Sequence, residues 1–249
     1  MLFLNRKRCN MNKFLGYFLL FLIYSILGWI MESTLVSIKS KKFINRGFLI
    51  GPYCPIYGWG GLIITIYLTQ YKNNILTVFF LSVVICSILE YLTSYLMEKI
   101  FKARWWDYSE RKFNLNGRIC GENALAFGIV SIVVLYGLNP LIEKLLSHIN
   151  EKALLIITII GLIIFISDTI TSCKVVSKLK TTVNNIGNST KDVTTDISKL
   201  VKTTLTNEGK IFQRRLVKAF PEMTLSKILT RSSKALKEIE KNIKKKQDQ

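Results

Sequence analysis

An all-α, polytopic membrane protein is the fold class this sequence predicts, and three observations predict it. Apolar residues make up 49% of the 249-residue chain, and its mean hydropathy is positive. Apolar runs recur at 14–38, 53–70, 75–99, 121–142 and 153–173, each close to the ~20 residues a helix needs to cross the hydrocarbon core. Charge is displaced from these runs into the segments around them: of a formal net charge of +19, residues 174–249 carry 18 Lys/Arg against 7 Asp/Glu. The expected organisation is a basic N-terminal segment (1–13), a transmembrane domain of about five helices (14–173) and a basic tail (174–249).

The first run is too long for the apolar region of a signal peptide and no small-residue cleavage site follows it, so it reads as a retained helix. The second, "CPIYGWGGLIITIYL", is the least regular span because of its three glycines. Segment 39–52 carries Lys39, Lys41, Lys42 and Arg46, and segment 99–120 carries six Lys/Arg. The opposing short loops hold Lys72, and Lys144 and Lys152 balanced by Glu143 and Glu151. The positive-inside bias then puts the C-terminus and both basic loops in the cytoplasm of a multi-pass plasma-membrane protein. Arg6, Lys7, Arg8 and Lys13 fall on the wrong side in this arrangement. A start at Met11 would leave only Lys13; a re-entrant or missed span is the alternative.

Several function classes lose support. The chain has no G-x-x-x-x-G-K-[ST], H-E-x-x-H or G-x-S-x-G pattern, so no Walker, zinc-protease or serine-hydrolase signature. Its five cysteines (Cys9, Cys54, Cys86, Cys120, Cys173) form no CxxC pair, and His148 is the single histidine, so no metal and no cofactor is expected. A basic tail directly after a membrane helix points to anionic lipid rather than nucleic acid.

The charged residues that remain converge. With five spans, Glu32, the 45–58 loop, Glu98, the 100–120 loop, Glu122 and Asp168 share one face. Glu90 lies deeper, about 12 Å from Glu98 along a helix, and Ser87, Glu90, Ser94 and Glu98 follow one stripe by steps of three and four. A carboxylate inside a span costs ~2.5–3.5 kcal/mol on insertion scales and is normally turned towards a partner or water. In "GWIMES", Trp29 and Glu32 share a helix face beside Gly28. In "NRGFLIGPYCPIYGWG", Gly51, Pro52 and Pro55, followed by Tyr57, force turns that need protein or a cavity around them. The "RWWDYS" block offers Arg104, Trp105, Trp106, Asp107 and Tyr108, and "FNLNGRICGE" adds Arg118 and Glu122. Arg46, Arg104 and Arg118 can pair the carboxylates or hold a phosphate or other anion. An aromatic belt explains Trp105 and Trp106, but not the Asp, Asn and Gly between them. Asp168, in "FISDTITSCK", reads as a solvated acid or a partner of Lys174.

The blocks "GWIMES", "NRGFLIGPYCPIYGWG", "LEYLTSYLMEKIF", "RWWDYS" and "FNLNGRIC", in that order over about 12–145, resemble a type IV ABC-transporter permease family of small bacterial integral membrane proteins. The resemblance implies a permease subunit working with a separate ATPase, which fits the missing P-loop, and it assigns no role to individual residues. The leading expectation is a transport component whose path or gate is the acidic and Arg-rich seam. The alternatives are a membrane enzyme acting on a lipid or anionic headgroup, and a non-catalytic scaffold acting through its tail. In that tail, Val176, Leu179, Val183, Ile186, Thr190, Val193, Ile197 and Leu200 keep a heptad seam, which predicts coiled-coil pairing. A second amphipathic stretch follows Pro221. Anionic membrane, a second copy of the chain and a protein partner are its candidate contacts.

Overall fold

A computed structural model describes residues 13–101 and 103–189, together with Arg215, Ala219, Phe220, Thr224 and Leu225. It is all-α. Helix α1 is Lys13–Ser40. Helix α2 runs from Pro55 through Ile63, continues as a π-helical turn at Ile64–Leu68, and ends in a 3-10 turn at Thr69–Tyr71. Helix α3 is Ile75–Phe101, α4 is Gly121–Ser147 and α5 is Glu151–Ser189. A two-residue antiparallel ladder, β1 (Ala103–Arg104) with β2 (Thr224–Leu225), completes the described elements.

Among the described residues, four helices are long and apolar enough to cross a membrane: α1, α3, α4 and the Glu151–Ser177 part of α5. Over the remaining apolar run, 53–70, the helix starts two residues later, because Pro55 occupies the first turn, where its missing N–H costs nothing. At 1.5 Å per residue, Pro55–Tyr71 reaches roughly 25 Å, the short end of what can span.

The described residues form two compact units, one drawn from residues 13–93 and 108–172, the other from residues 94–101, 103–107 and 173–189 with the described positions between Arg215 and Leu225. In the first unit polar residues share the interior with an apolar core, and many large apolar side chains face outward. Ser25, Thr65, Ser82, Glu90, Ser131 and Thr158 are buried, while Ile156, Ile157, Ile160, Ile163 and Ile164 on α5 stand exposed. Apolar side chains turned outward need no water-soluble partner if acyl chains surround them, so this arrangement suits lipid. Leu19, Ile64, Val78, Val134, Leu135 and Leu154 belong to the apolar core between the helices.

Close approach of α1 and α2 rests on glycine. A Cβ at Gly58 would strike Ser25 and come within 2.7 Å of the Phe21 ring; one at Gly61 would come within 2.5 Å of Tyr24, and one at Gly28 would strike Tyr57. The backbone N–H of Cys54 donates to the Ser25 carbonyl (2.9 Å), tying the entry of α2 to α1.

Both π-helical turns have local causes. In α4, Pro140 supplies no N–H and its ring crowds the carbonyl four residues back, and the helix widens over Val133–Leu138 just before it. In α2, Thr65 Oγ1 donates to the Gly61 carbonyl (2.7 Å) and Thr69 Oγ1 to the Thr65 carbonyl (2.5 Å), competing with the backbone ladder. The two turns pack against each other. At that level Tyr24 hydrogen-bonds both Thr65 and Asn139, and Asn139 Nδ2 donates to Thr65 Oγ1 (3.1 Å).

In the second unit, Arg104 Nε lies 3.3 Å from Glu98 Oε2, and its Nη1 lies 3.5 Å from Asp107. Trp105 is buried with its ring edge-on to Phe220, centroids 5.0 Å apart. The heptad positions up to Ile186 lie on α5. The rest of the heptad pattern, the basic stretch before Lys13 and nearly all of the amphipathic segment after Pro221 fall outside the described residues.

Candidate functional site

Two carboxylates, two tyrosines and an asparagine of the first unit form its polar centre. Glu32, about two turns from the end of α1, accepts a hydrogen bond from Tyr57 Oη (2.5 Å) and pairs with Arg46 Nε at 3.5 Å. Glu90, on α3, is 6% exposed and accepts from Tyr108 Oη at 3.3 Å. Asn123, on the first turn of α4, also approaches the Glu90 carboxyl. Among the described residues Glu90 Oε2 makes no hydrogen bond of ordinary geometry, and neither do the buried hydroxyls of Ser82 and Ser87 on the same helix. Glu90 is within electrostatic reach of Glu32 and Tyr57, so the two carboxyl groups belong to one cluster.

Two loops present the tyrosines. The 41–54 loop is clamped by Asn45, whose Oδ1 accepts from Trp29 Nε1 (2.8 Å) and from the N–H of Gly47 (3.1 Å). Its far end is held by Asp168 on α5, which takes the N–H groups of Ile50 (3.0 Å) and Gly51 (2.7 Å), Tyr53 Oη (2.6 Å) and Ser172 Oγ (2.9 Å). Asp168 is thus neither a solvated acid nor a partner of Lys174. Its reach across some 118 positions to Ile50 carries no local sequence signal. Pro52 and Gly51 turn the loop just before α2, and a Cβ at Gly51 would meet the Tyr53 ring at 2.5 Å.

The 108–120 loop is a hairpin. Asn116 and Gly117 both have positive φ (54° and 65°), and the N–H of Arg118 closes on the Leu115 carbonyl (3.0 Å), the type I′ geometry that an Asn-Gly pair favours. The N–H of Tyr108 donates to the Gly117 carbonyl (2.8 Å), fixing the base of the side chain that reaches Glu90. Burial, then the Glu90 and Glu32 carboxyls, push the Tyr108 hydroxyl well above its usual pKa, so it remains a donor. The Asn and Gly residues that a belt of aromatics left unexplained are therefore turn formers.

The other expected site residues separate into groups. Arg118 lies over the Tyr91 ring at 5.6 Å, and Glu122 is an exposed partner of Arg111 at 3.3 Å. Ser94 is buried on α3; Glu98, Arg104, Asp107, Trp105 and the half-buried Trp106 belong with it to the second unit. Asn123 was absent from the expected residues, and Asn45 and Asp168 were expected on the shared face without the clamping role they have; a second polar residue beside Glu122 at the start of an apolar helix was the available signal for Asn123. A cavity of about 450 Å³ opens between α1, α2, α3 and α4. Its wall is mostly apolar, with Met31, Leu89 and Phe127, and Tyr57 enters it from the polar cluster.

The family described as "Putative ABC-transporter type IV" matches residues 19–173, well over half of the chain. The chain belongs to that family. No curated protein and no solved structure matches it. Family membership and the apolar helices together make it a multi-pass plasma-membrane protein that fits a membrane transport component. The matched region takes in α1 from Leu19 onward, the later helical runs up to Cys173 and every residue of the Glu32–Glu90 cluster.

Proposed function

We propose that this member of the family is the permease-like subunit of a transporter, driven by a separate ATPase, and that the Glu32–Tyr57–Glu90–Tyr108 cluster lines or gates its path. One observation carries the reading: Glu90 is nine-tenths buried in a helix fit to span lipid, and one of its carboxyl oxygens has no hydrogen bond among the described residues. An intramembrane carboxylate left in that condition is costly as pure architecture and is a functional position by default. The neighbouring cavity of about 450 Å³ supplies room beside it.

The ion pairs favour transport over chemistry on an anionic headgroup. Arg46 faces Glu32, and Arg104 faces Glu98 and Asp107, so two of the three guanidinium groups that would clamp a phosphate are engaged by carboxylates, while Arg118 lies over the Tyr91 ring. The Glu98–Arg104–Asp107 set joins the proposal as charged machinery at the end of α3. The same reading has α2 crossing as a fifth span, the C-terminus in the cytoplasm, and the basic tail on anionic lipid or on a second copy of the chain.

Affinity purification of the full chain from its native membrane in mild detergent tests this. The expected result is a stoichiometric nucleotide-binding subunit that also co-purifies with Glu90→Gln, but whose ATPase activity falls several-fold in that variant. A reproducible lipid turned over without any ATPase partner would instead support the membrane enzyme.

A further inference from the structure

A groove of about 460 Å³ lies along the last three turns of α1, and Lys41 and Lys42 belong to its lining. Its shape follows from a backbone reversal. Lys41 has φ 51°, a left-handed conformation that usually falls to glycine or asparagine at a helix end. The chain then turns back along the helix, where the N–H of Ile44 donates to Ser37 Oγ (2.9 Å) and that of Arg46 to Ser33 Oγ (3.2 Å). Both lysines are thereby drawn to the side of α1 and line the groove with the Thr34 hydroxyl.

Among the described residues neither lysine has an ion-pair partner, while Glu32, the acid at this end of α1, is taken by Arg46 and Tyr57. The rest of the wall is apolar and open: Ile30 is 48% exposed, Ile38 70% and Phe43 77%. Because α1 is long and apolar enough to cross the bilayer, this wall faces acyl chains, and the lysines stand at the level where a helix end meets phosphates.

We propose that the groove is a binding site for an anionic phospholipid, with the phosphate on Lys41, Lys42 and Thr34 and an acyl chain along Ile30, Ile38 and Phe43. Two unpaired ammonium groups beside a hydroxyl match a phosphate that carries no compensating cation, and the continuous apolar wall matches a lipid better than a free anion. The inference is independent of the transport reading, since it uses none of the Glu90 cluster.

The test is native mass spectrometry of the delipidated full-length protein titrated with phosphatidylglycerol or phosphatidylcholine of identical acyl chains. Phosphatidylglycerol should bind roughly tenfold more tightly, and Lys41→Gln with Lys42→Gln should remove that preference. The charge-matched pair Lys144→Gln with Lys152→Gln should keep it. Lys42→Gln alone, at a position of ordinary backbone, should show part of the loss even if the double variant fails to fold. Equal loss in both charge-matched pairs would mean diffuse attraction to the whole basic protein and would overturn the site. So would displacement of the lipid by millimolar inorganic phosphate with no dependence on acyl chains.

Discussion

At the scale of single residues, the carboxyl of Asp168 receives four hydrogen bonds, whereas Glu90 receives one of 3.3 Å and leaves Oε2 without one. That contrast separates a structural clamp from a functional candidate on two apolar helices that look alike in sequence. Removing the Asp168 carboxyl takes away the acceptor of the Gly51 N–H and leaves the Ile50 N–H with Ser172 Oγ at 3.2 Å. Asp168→Ala should therefore destabilise the protein by about 2–4 kcal/mol, read as a lowered unfolding midpoint in detergent, with Asp168→Asn intermediate. Glu90, Glu32, Tyr57 and Tyr108 were legible as isolated signals, because a charge in an apolar run or an aromatic in a polar loop stands out. Their pairing was not, because Tyr57 with Glu32 and Tyr108 with Glu90 join separate elements, and periodicity speaks only within one.

At the scale of elements, the string "GWGG" divides by what each glycine meets. Gly58 and Gly61 face α1 side chains at distances a Cβ cannot share, while the nearest atom to a Cβ at Gly60 is Leu89 Cδ2 at 3.7 Å. Gly58→Ala and Gly61→Ala should each cost ~1–3 kcal/mol through overpacking, with Gly60→Ala close to neutral, as compared by unfolding midpoints of the three variants. Equal effects at all three positions would contradict the α1–α2 packing. The glycines marked this run as irregular in the sequence, and the irregularity has two parts: close packing in the first half and a threonine-driven π-helical turn in the second. The Asn-Gly hairpin was likewise present in the sequence as a turn signal, but its use, to aim Tyr108 at Glu90, required the fold.

At the scale of the whole molecule, hydropathy made the membrane class legible because the solvent imposes it on every span. The number of crossings was harder, since the 17 residues of α2 from Pro55 to Tyr71 sit at the length limit for a span. Single cysteines at positions 42 and 72, introduced into a cysteine-free chain and labelled with a membrane-impermeant thiol reagent, should react from opposite sides if α2 crosses. Reaction from the same side would make α2 re-entrant and return the topology to four spans. One feature of the Glu90 site also bears on how the protein is made. Its two polar neighbours, Tyr108 and Asn123, both follow it in the chain, and the Glu32 partners Arg46 and Tyr57 follow it too. During synthesis each carboxylate therefore emerges from the ribosome ahead of the residues that will bond to it. At ~5–20 residues per second, Asn123 follows Glu90 by a few seconds, an interval in which the α3 carboxyl has no partner from α4.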